Sequence, residues 1–240
     1  MGFVVVLAVV LVGYFLIKPP RSEDEGIPGA KVTGEIEPIK ITQVDIKETN
    51  FSGSKPAIAG SAEVARVTRE YVDQQVKDFK GDADRDVPDV REKFGADHPA
   101  ANYTIDIEAK YMPGTKTNSI ILNMYMYTGG ANGNSLYTVF TESKKTGEML
   151  SLSDIILTAK KEEFRMLVVN NLLSWRPEDS EGLVLFEDVV GGLTFDSFKD
   201  WSLDSENLTL YFDKYEIGPG VLGAMAFPIS RSKIESYLAL

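Results

Sequence analysis

Between residues 103 and 111 the chain alternates without an error. Tyr103, Ile105, Ile107, Ala109 and Tyr111 fall on one face, and Thr104, Asp106, Glu108 and Lys110 fall on the other. A period of two sends successive side chains to opposite sides of an extended backbone, so this segment reads as a strand with one face buried and one toward water. Its neighbours extend the constraint. Residues 112–115 (MPGT) supply turn chemistry, and 119–128 (SIILNMYMYT) form a second apolar strand. Residues 129–134 (GGANGN) turn again, 136–141 (LYTVFT) resume, and 144–148 (KKTGE) turn once more. Turns this short join antiparallel neighbours, because a parallel connection needs a crossover of a dozen residues or more. The expected sheet is an antiparallel meander.

Helical periodicity flanks it. Val64, Val67, Tyr71, Val72, Val76 and Phe79 recur at three and four after Ser61, which predicts a helix of about twenty residues with one apolar stripe. Phe164, Leu167, Val168, Leu172 and Trp175 predict a second amphipathic helix ending before Pro177. Residues 35–50 read as a strand with a kink near Thr42, and the acidic, Gly-containing residues 178–194 as a long loop. Residues 198–203, 208–212 and 224–229 read as further strands, with Ser230 capping a short final helix through Leu238. Strands paired in sequence with helices interspersed give an α+β fold, an antiparallel meander with two main amphipathic helices and a short C-terminal one.

Residues 3–17 (FVVVLAVVLVGYFLI) carry no charge. Fifteen to seventeen apolar residues stand at the lower limit for a membrane span and the upper limit for a signal-peptide core. The absence of an n-region Lys or Arg and of a small-x-small cleavage site at Lys18-Pro19-Pro20-Arg21 favours an uncleaved anchor, with a cleaved signal as the alternative. The expected organisation is a transmembrane anchor at 1–17 and a Pro-, Gly- and charge-rich linker at 18–34. An N-terminal α+β subdomain at 35–125 and a C-terminal α+β domain at 126–240 then share one sheet. The expected location is the cell membrane, single-pass, with the body outside the cytoplasm.

Composition removes several function classes. A net charge of −11 and a pI near 4.7 oppose binding to a phosphate backbone, so nucleic acid is not an expected partner. With no Cys and one His, there is no thiolate site, no His-rich zinc site and no cysteine nucleophile. His98 lies in a Gly- and Pro-bounded loop and reads as an exposed bystander, and no G-x-S-x-G, H-E-x-x-H or phosphate-binding loop is present. Asp82, Asp84 and Asp86 have the spacing that opens a calcium loop, but the sixth position is Val87 and the twelfth Lys93, so they read as a solvated acidic loop closing the first helix. No metal or cofactor is expected. Carboxylate pairs such as Asp188 with Asp196, or Asp204 with Glu206, keep a carboxylate-dependent peptidoglycan hydrolase open as an alternative to a non-enzymatic protein. Tyr125, Tyr127, Tyr137 and Phe140 either pack the sheet or stack on a ligand.

Two Gly-rich loops stand out, YTGGANGNS at 127–135 and YFDKYEIGPGVLG at 211–223. Residues 127–141, 146–156 (TGEMLSLSDII) and 208–230 (LTLYFDKYEIGPGVLGAMAFPIS) resemble, in order and spacing, a bacterial envelope family of unknown function. That family includes the extracytoplasmic lysozyme-sensing domain of anti-sigma-V factors (RsiV type) and domains that accompany the peptidoglycan deacetylase PdaC. The segment at about 35–122 looks like the smaller domain that precedes it. The resemblance implies an anchored α+β ectodomain that binds lysozyme or a cell-wall ligand and is not an enzyme, or else a structural element of an envelope assembly. This chain has Asn132 where the family commonly has His, and Gly220-Val221 where an aromatic often follows Gly-Pro. Only Met1 and Gly2 precede the apolar run, so control of a sigma factor is not expected. The candidate binding residues are Tyr127, Thr128, Gly129, Gly130, Asn132, Asn134, Tyr215 and Pro219. The sequence sets no oligomeric state.

Overall fold

In the computed structural model, residues 37–176 and 184–239 are described; the apolar run, the linker and Pro177 lie outside them. The chain divides at Glu35, and the elements below belong to Ile36–Leu240. Among the described residues no helix is long and apolar enough to cross a membrane.

Five strands lie in chain order in one sheet: β1 (Lys40–Lys47), β2 (Phe51–Ala59), β3 (Tyr103–Pro113), β4 (Thr117–Tyr127) and β5 (Asn134–Ser143). Every pairing is antiparallel except β2 with β3, which runs parallel over four residues. The crossover this requires is α1 (Glu63–Phe94), which lies against β2 to β5. Gly53, at φ +150°, marks the parallel contact: a Cβ there would overlap the Ile105 carbonyl oxygen. Beyond Ser54, β2 parts from β3, and Ile107 O accepts instead from Gln43 Nε2 at 2.8 Å. The meander of β3, β4 and β5 agrees with the alternation in the sequence.

Four features differ from expectation. Residues 187–191, inside the expected loop 178–194, form a short helix, with Val190 fully buried. β2 was not anticipated, because FSGSKPAIA has no clean alternation; pairing on both sides holds it extended. α1 runs for 32 residues, straight through the acidic segment. Ala83 and Val87 continue the stripe of Val72, Val76 and Phe79 and are fully buried, so packing carries the helix past Pro88. Asp82, Asp84 and Asp86 are therefore helical, not a loop. Arg85 pairs with Asp82 and Asp86, and Asp84 accepts from Asn50 Nδ2 at 2.8 Å. The Asn50 hydrogen bond, followed by that of Lys80, holds the Asp84 carboxyl below its ordinary range. Finally, Ser230 sits at the expected cap position, but its hydroxyl bonds Ser232 Oγ at 2.9 Å and caps no backbone group.

The N-terminus of α1 has no cap of its own. Ala62 holds the cap position, and Ser61 Oγ accepts from the Glu37 N–H at 2.9 Å. Its partner comes from 78 residues away: Glu142, 3% exposed, accepts from the Val64 N–H at 2.9 Å through one carboxylate oxygen and from Asn118 Nδ2 at 2.9 Å through the other. A carboxylate here meets both the open N–H groups and the positive end of the helix dipole.

A second, three-stranded sheet contains β6 (Asp200–Leu203), β7 (Asn207–Phe212) and β8 (Met225–Ser230). With it lie the helices α2 (Leu152–Ile155), α3 (Lys161–Ser174), α4 (Glu187–Gly191) and α5 (Arg231–Ile234). Their core is apolar throughout, with Phe164, Leu172, Trp201, Leu208 and Phe212 fully buried. Phe164 meets Phe195, Phe198 and Tyr237 edge-on at 6.0 to 6.3 Å between centroids.

The two sheets meet along the outer edge of β5. Asp200 and Asp213 each accept a β5 backbone N–H at 2.8 Å, from Val139 and Tyr137 respectively. Thr141 and Thr117 donate to the carbonyls of Trp201 and Leu203 at 3.0 and 2.8 Å. Side chains thus satisfy an edge that would otherwise offer unpaired backbone groups.

Candidate functional site

The turn between β4 and β5 and the loop after β7 are far apart in sequence and joined in space by one residue. The Lys214 N–H donates to Ser135 O at 2.9 Å, and Lys214 Nζ donates to Gly133 O at 2.7 Å. The same ammonium stands 5.2 Å from the centroid of the Tyr215 ring. Lys214 was not among the sequence candidates. No spacing rule marks it, since a lysine between Asp213 and Tyr215 looks like any loop lysine.

Within the turn, Tyr127 ends β4 half-buried, while Thr128, Gly130, Asn132 and Asn134 are exposed. Gly129, at φ +82°, rests on Ala100, where a Cβ would overlap backbone. Asn134 accepts from the Ser135 N–H at 3.1 Å and so opens β5. In the second loop Tyr215 is the lone non-glycine residue with positive φ among the described residues, at +70°. The loop is closed around it by the Glu216 N–H on Asp213 O at 3.0 Å and the Asp213 N–H on Glu216 Oε2 at 2.7 Å. Such backbone costs about 1 kcal/mol or more and persists where the surroundings over-determine it. Pro219, half-buried, starts the 3-10 turn Gly220–Leu222.

Two tyrosines share one arrangement. The Tyr215 ring lies over Gly220, and the Tyr125 ring over Gly133; a Cβ on either glycine would overlap the ring. Both stay open to water, at 57% and 41% exposure, with Val221 beside Tyr215 at 76%. The open side of the sheet continues through Tyr137, half-buried and 5.0 Å from Tyr211 between ring centroids. Burial pushes both of these phenols up; the Glu108 charge adds to it at Tyr137, and the Ser202 hydrogen bond opposes it at Tyr211. All eight sequence candidates therefore lie on two connected loops, and Tyr125 and Lys214 complete the surface.

Other candidates lie elsewhere. His98 accepts from the Ala100 N–H through Nδ1 at 3.2 Å and stacks on exposed Phe94 at 5.0 Å, so it shapes its own turn. Asp204 accepts from the N–H groups of Glu206 and Asn207 at 2.7 Å and forms the β6–β7 turn. Asp188 lies on α4 and Asp196 in the separate 3-10 turn Phe195–Ser197. Among the described residues no three His, Asp or Glu side chains are grouped to hold a metal ion.

The chain has relatives. Residues 150–232 match the model of the family described as protein of unknown function (DUF3298), a match that takes in β6 to β8 and the second loop. The chain is 21% identical over 201 residues to the peptidoglycan-N-acetylmuramic acid deacetylase PdaC of Bacillus subtilis, covering 81% of this chain and 40% of that protein's length. Crystal structures of DUF3298 family members from Bacteroides fragilis and Pseudomonas aeruginosa share the fold. The first has a TM-score of 0.57 at 20% identity, covering 87% of this chain and 95% of that one. The second has a TM-score of 0.54 at 15% identity, covering 85% and 93%.

Proposed function

We propose that this protein is a membrane-anchored, extracytoplasmic binding protein of the bacterial cell envelope, held by the apolar segment 3–17. In this reading it takes a protein such as lysozyme, or a cell-wall ligand, on the joined loops and catalyses no reaction. The observation that carries the reading is the Lys214 bridge, which makes two Gly-rich loops into one surface bearing exposed Tyr125 and Tyr215. Rigid aromatic side chains on a fixed backbone bury much apolar area at small entropic cost, which is what a binding surface needs. The peptidoglycan named in the PdaC description supports a wall-facing role, as does the acidity of the chain for a basic protein partner.

The test is capture of the purified full chain by immobilised lysozyme and, separately, by purified peptidoglycan sacculi at about 0.15 M salt. Saturable binding to one of the two is expected, weakened about tenfold by Tyr215→Ala with the melting temperature little changed. Binding to neither, or release of soluble sugar from the sacculi, overturns the reading.

A further inference from the structure

At the far end of β4 and β5 from the tyrosines, the molecule has a hollow lined by Thr115, Lys116, Ser143, Lys144, Lys145 and Ala239. Its three charged residues are all lysines, all exposed, and none of them makes a salt bridge among the described residues. In a chain of net charge −11, three cations gathered without an acid in the lining are out of keeping with the rest of the surface. Two adjacent turns build it. Lys116 belongs to the β3–β4 turn and Lys144 to the turn after β5, and the Lys144 N–H donates to Lys116 O at 2.9 Å. Glu148, in the second of these turns, is outside the lining.

The place where the chain enters the fold is at this same end. Glu37 bonds Ser61 just ahead of α1, and the first turn of α1 bonds Glu142, two residues before Lys144. Lys40, exposed and opposite Ala59, stands nearby in the register of β1 and β2. From Ile17 to Glu37 the chain can span at most about 65 Å. That reach exceeds the length of an eleven-residue strand, so the tether keeps the body near the bilayer without choosing a face, and charge decides which face rests there. Strands of eleven residues put the tyrosine loops roughly 35 Å away from Glu37.

We propose that the hollow of Lys116, Lys144 and Lys145 rests on the anionic headgroups of the membrane that holds the chain, orienting the Tyr125 and Tyr215 loops away from it. The proposal depends on the anchor in the reading above. Each lysine near an anionic leaflet is drawn to it, and three together bias a tethered body without binding a free one tightly.

The experiment reconstitutes the full chain into vesicles of phosphatidylcholine alone or with phosphatidylglycerol added, and acetylates it with a membrane-impermeant reagent. Acetylation at each lysine is followed by mass spectrometry. In the anionic vesicles Lys116, Lys144 and Lys145 are expected to react severalfold more slowly than in neutral ones. Lys47 and Lys93, at the other end, should react alike in both, and about 0.5 M salt should erase the difference. Equal rates at the three lysines, or slowing that salt does not reverse, overturns the docking and leaves the anchor standing. A chain washed from the vesicles by alkaline carbonate overturns the anchor and the docking with it. In Lys144→Glu/Lys145→Glu the protection of Lys116 should disappear, and its persistence would also count against the proposal.

Discussion

The two sheets hold their helices by different means. Around the three-stranded sheet the contacts are apolar and local to the last ninety residues: Phe164 of α3 sits among Phe195, Phe198 and Tyr237, with Trp201 and Phe212 beneath. Against the five-stranded sheet, α1 has its own apolar stripe but starts from a polar contact, the buried carboxylate of Glu142 on the Val64 N–H. Burial of hydrocarbon is non-directional and tolerates small shifts, whereas a buried carboxylate fixes one position and is costly if its partner is lost. The first arrangement provides stability, and the second provides registry between a 32-residue helix and the strand beside it.

That contrast can be broken at several points. The largest expected effect is Phe164→Ala, which removes a fully buried ring whose neighbours cannot all collapse inward; a loss of about 3–5 kcal/mol is expected in urea unfolding. Next comes Glu142→Ala, expected to cost about 2 kcal/mol by the same measurement, since it leaves an uncapped helix end and the Asn118 amide without its acceptor. Glu142→Gln keeps an acceptor and should recover part of it; a Gln variant no better than Ala would show that the charge, and not the hydrogen bond, does the capping.

The smallest effect is a pH dependence where the sheets meet. Tyr211 has its phenol pushed up by burial, so the unfolded chain releases this proton first as pH rises, and the folded state loses stability from about pH 10 upward while none is lost below. A Tyr211→Phe variant should show a shallower alkaline fall in melting temperature than the parent. Identical slopes would place the alkaline sensitivity elsewhere, with Tyr103, Tyr111 and Tyr137 also shifted up by burial.

Much of this architecture is legible in the residues. The alternation from Tyr103, the turn chemistry of residues 129–134 and the run 208–212 correspond closely to β3, the β4–β5 turn and β7. The missed features have a common character. β2 contains Gly53, Ser54 and Pro56 and draws its extended form from partners on either side. The acidic half of α1 looks like a loop by charge, although Ala83 and Val87 at +4 spacing carried a signal that would have extended the helix. The candidate loops were visible as glycine clusters, yet Lys214, the residue that unites them, was not.

By itself the sequence determined those things that depend on near neighbours: the period of each strand, the positive φ that Gly129 supplies, the apolar stripe of each helix, and an overall charge that disfavours nucleic acid. Only the tertiary structure decided which distant groups complete one another. Glu142 caps a helix through the N–H of Val64, 78 residues earlier, Asp200 and Asp213 close the edge of β5, and Lys214 reaches back to Gly133. A hydrogen bond requires two groups within about 3 Å, and no local periodicity encodes that distance between residues so far apart in the chain.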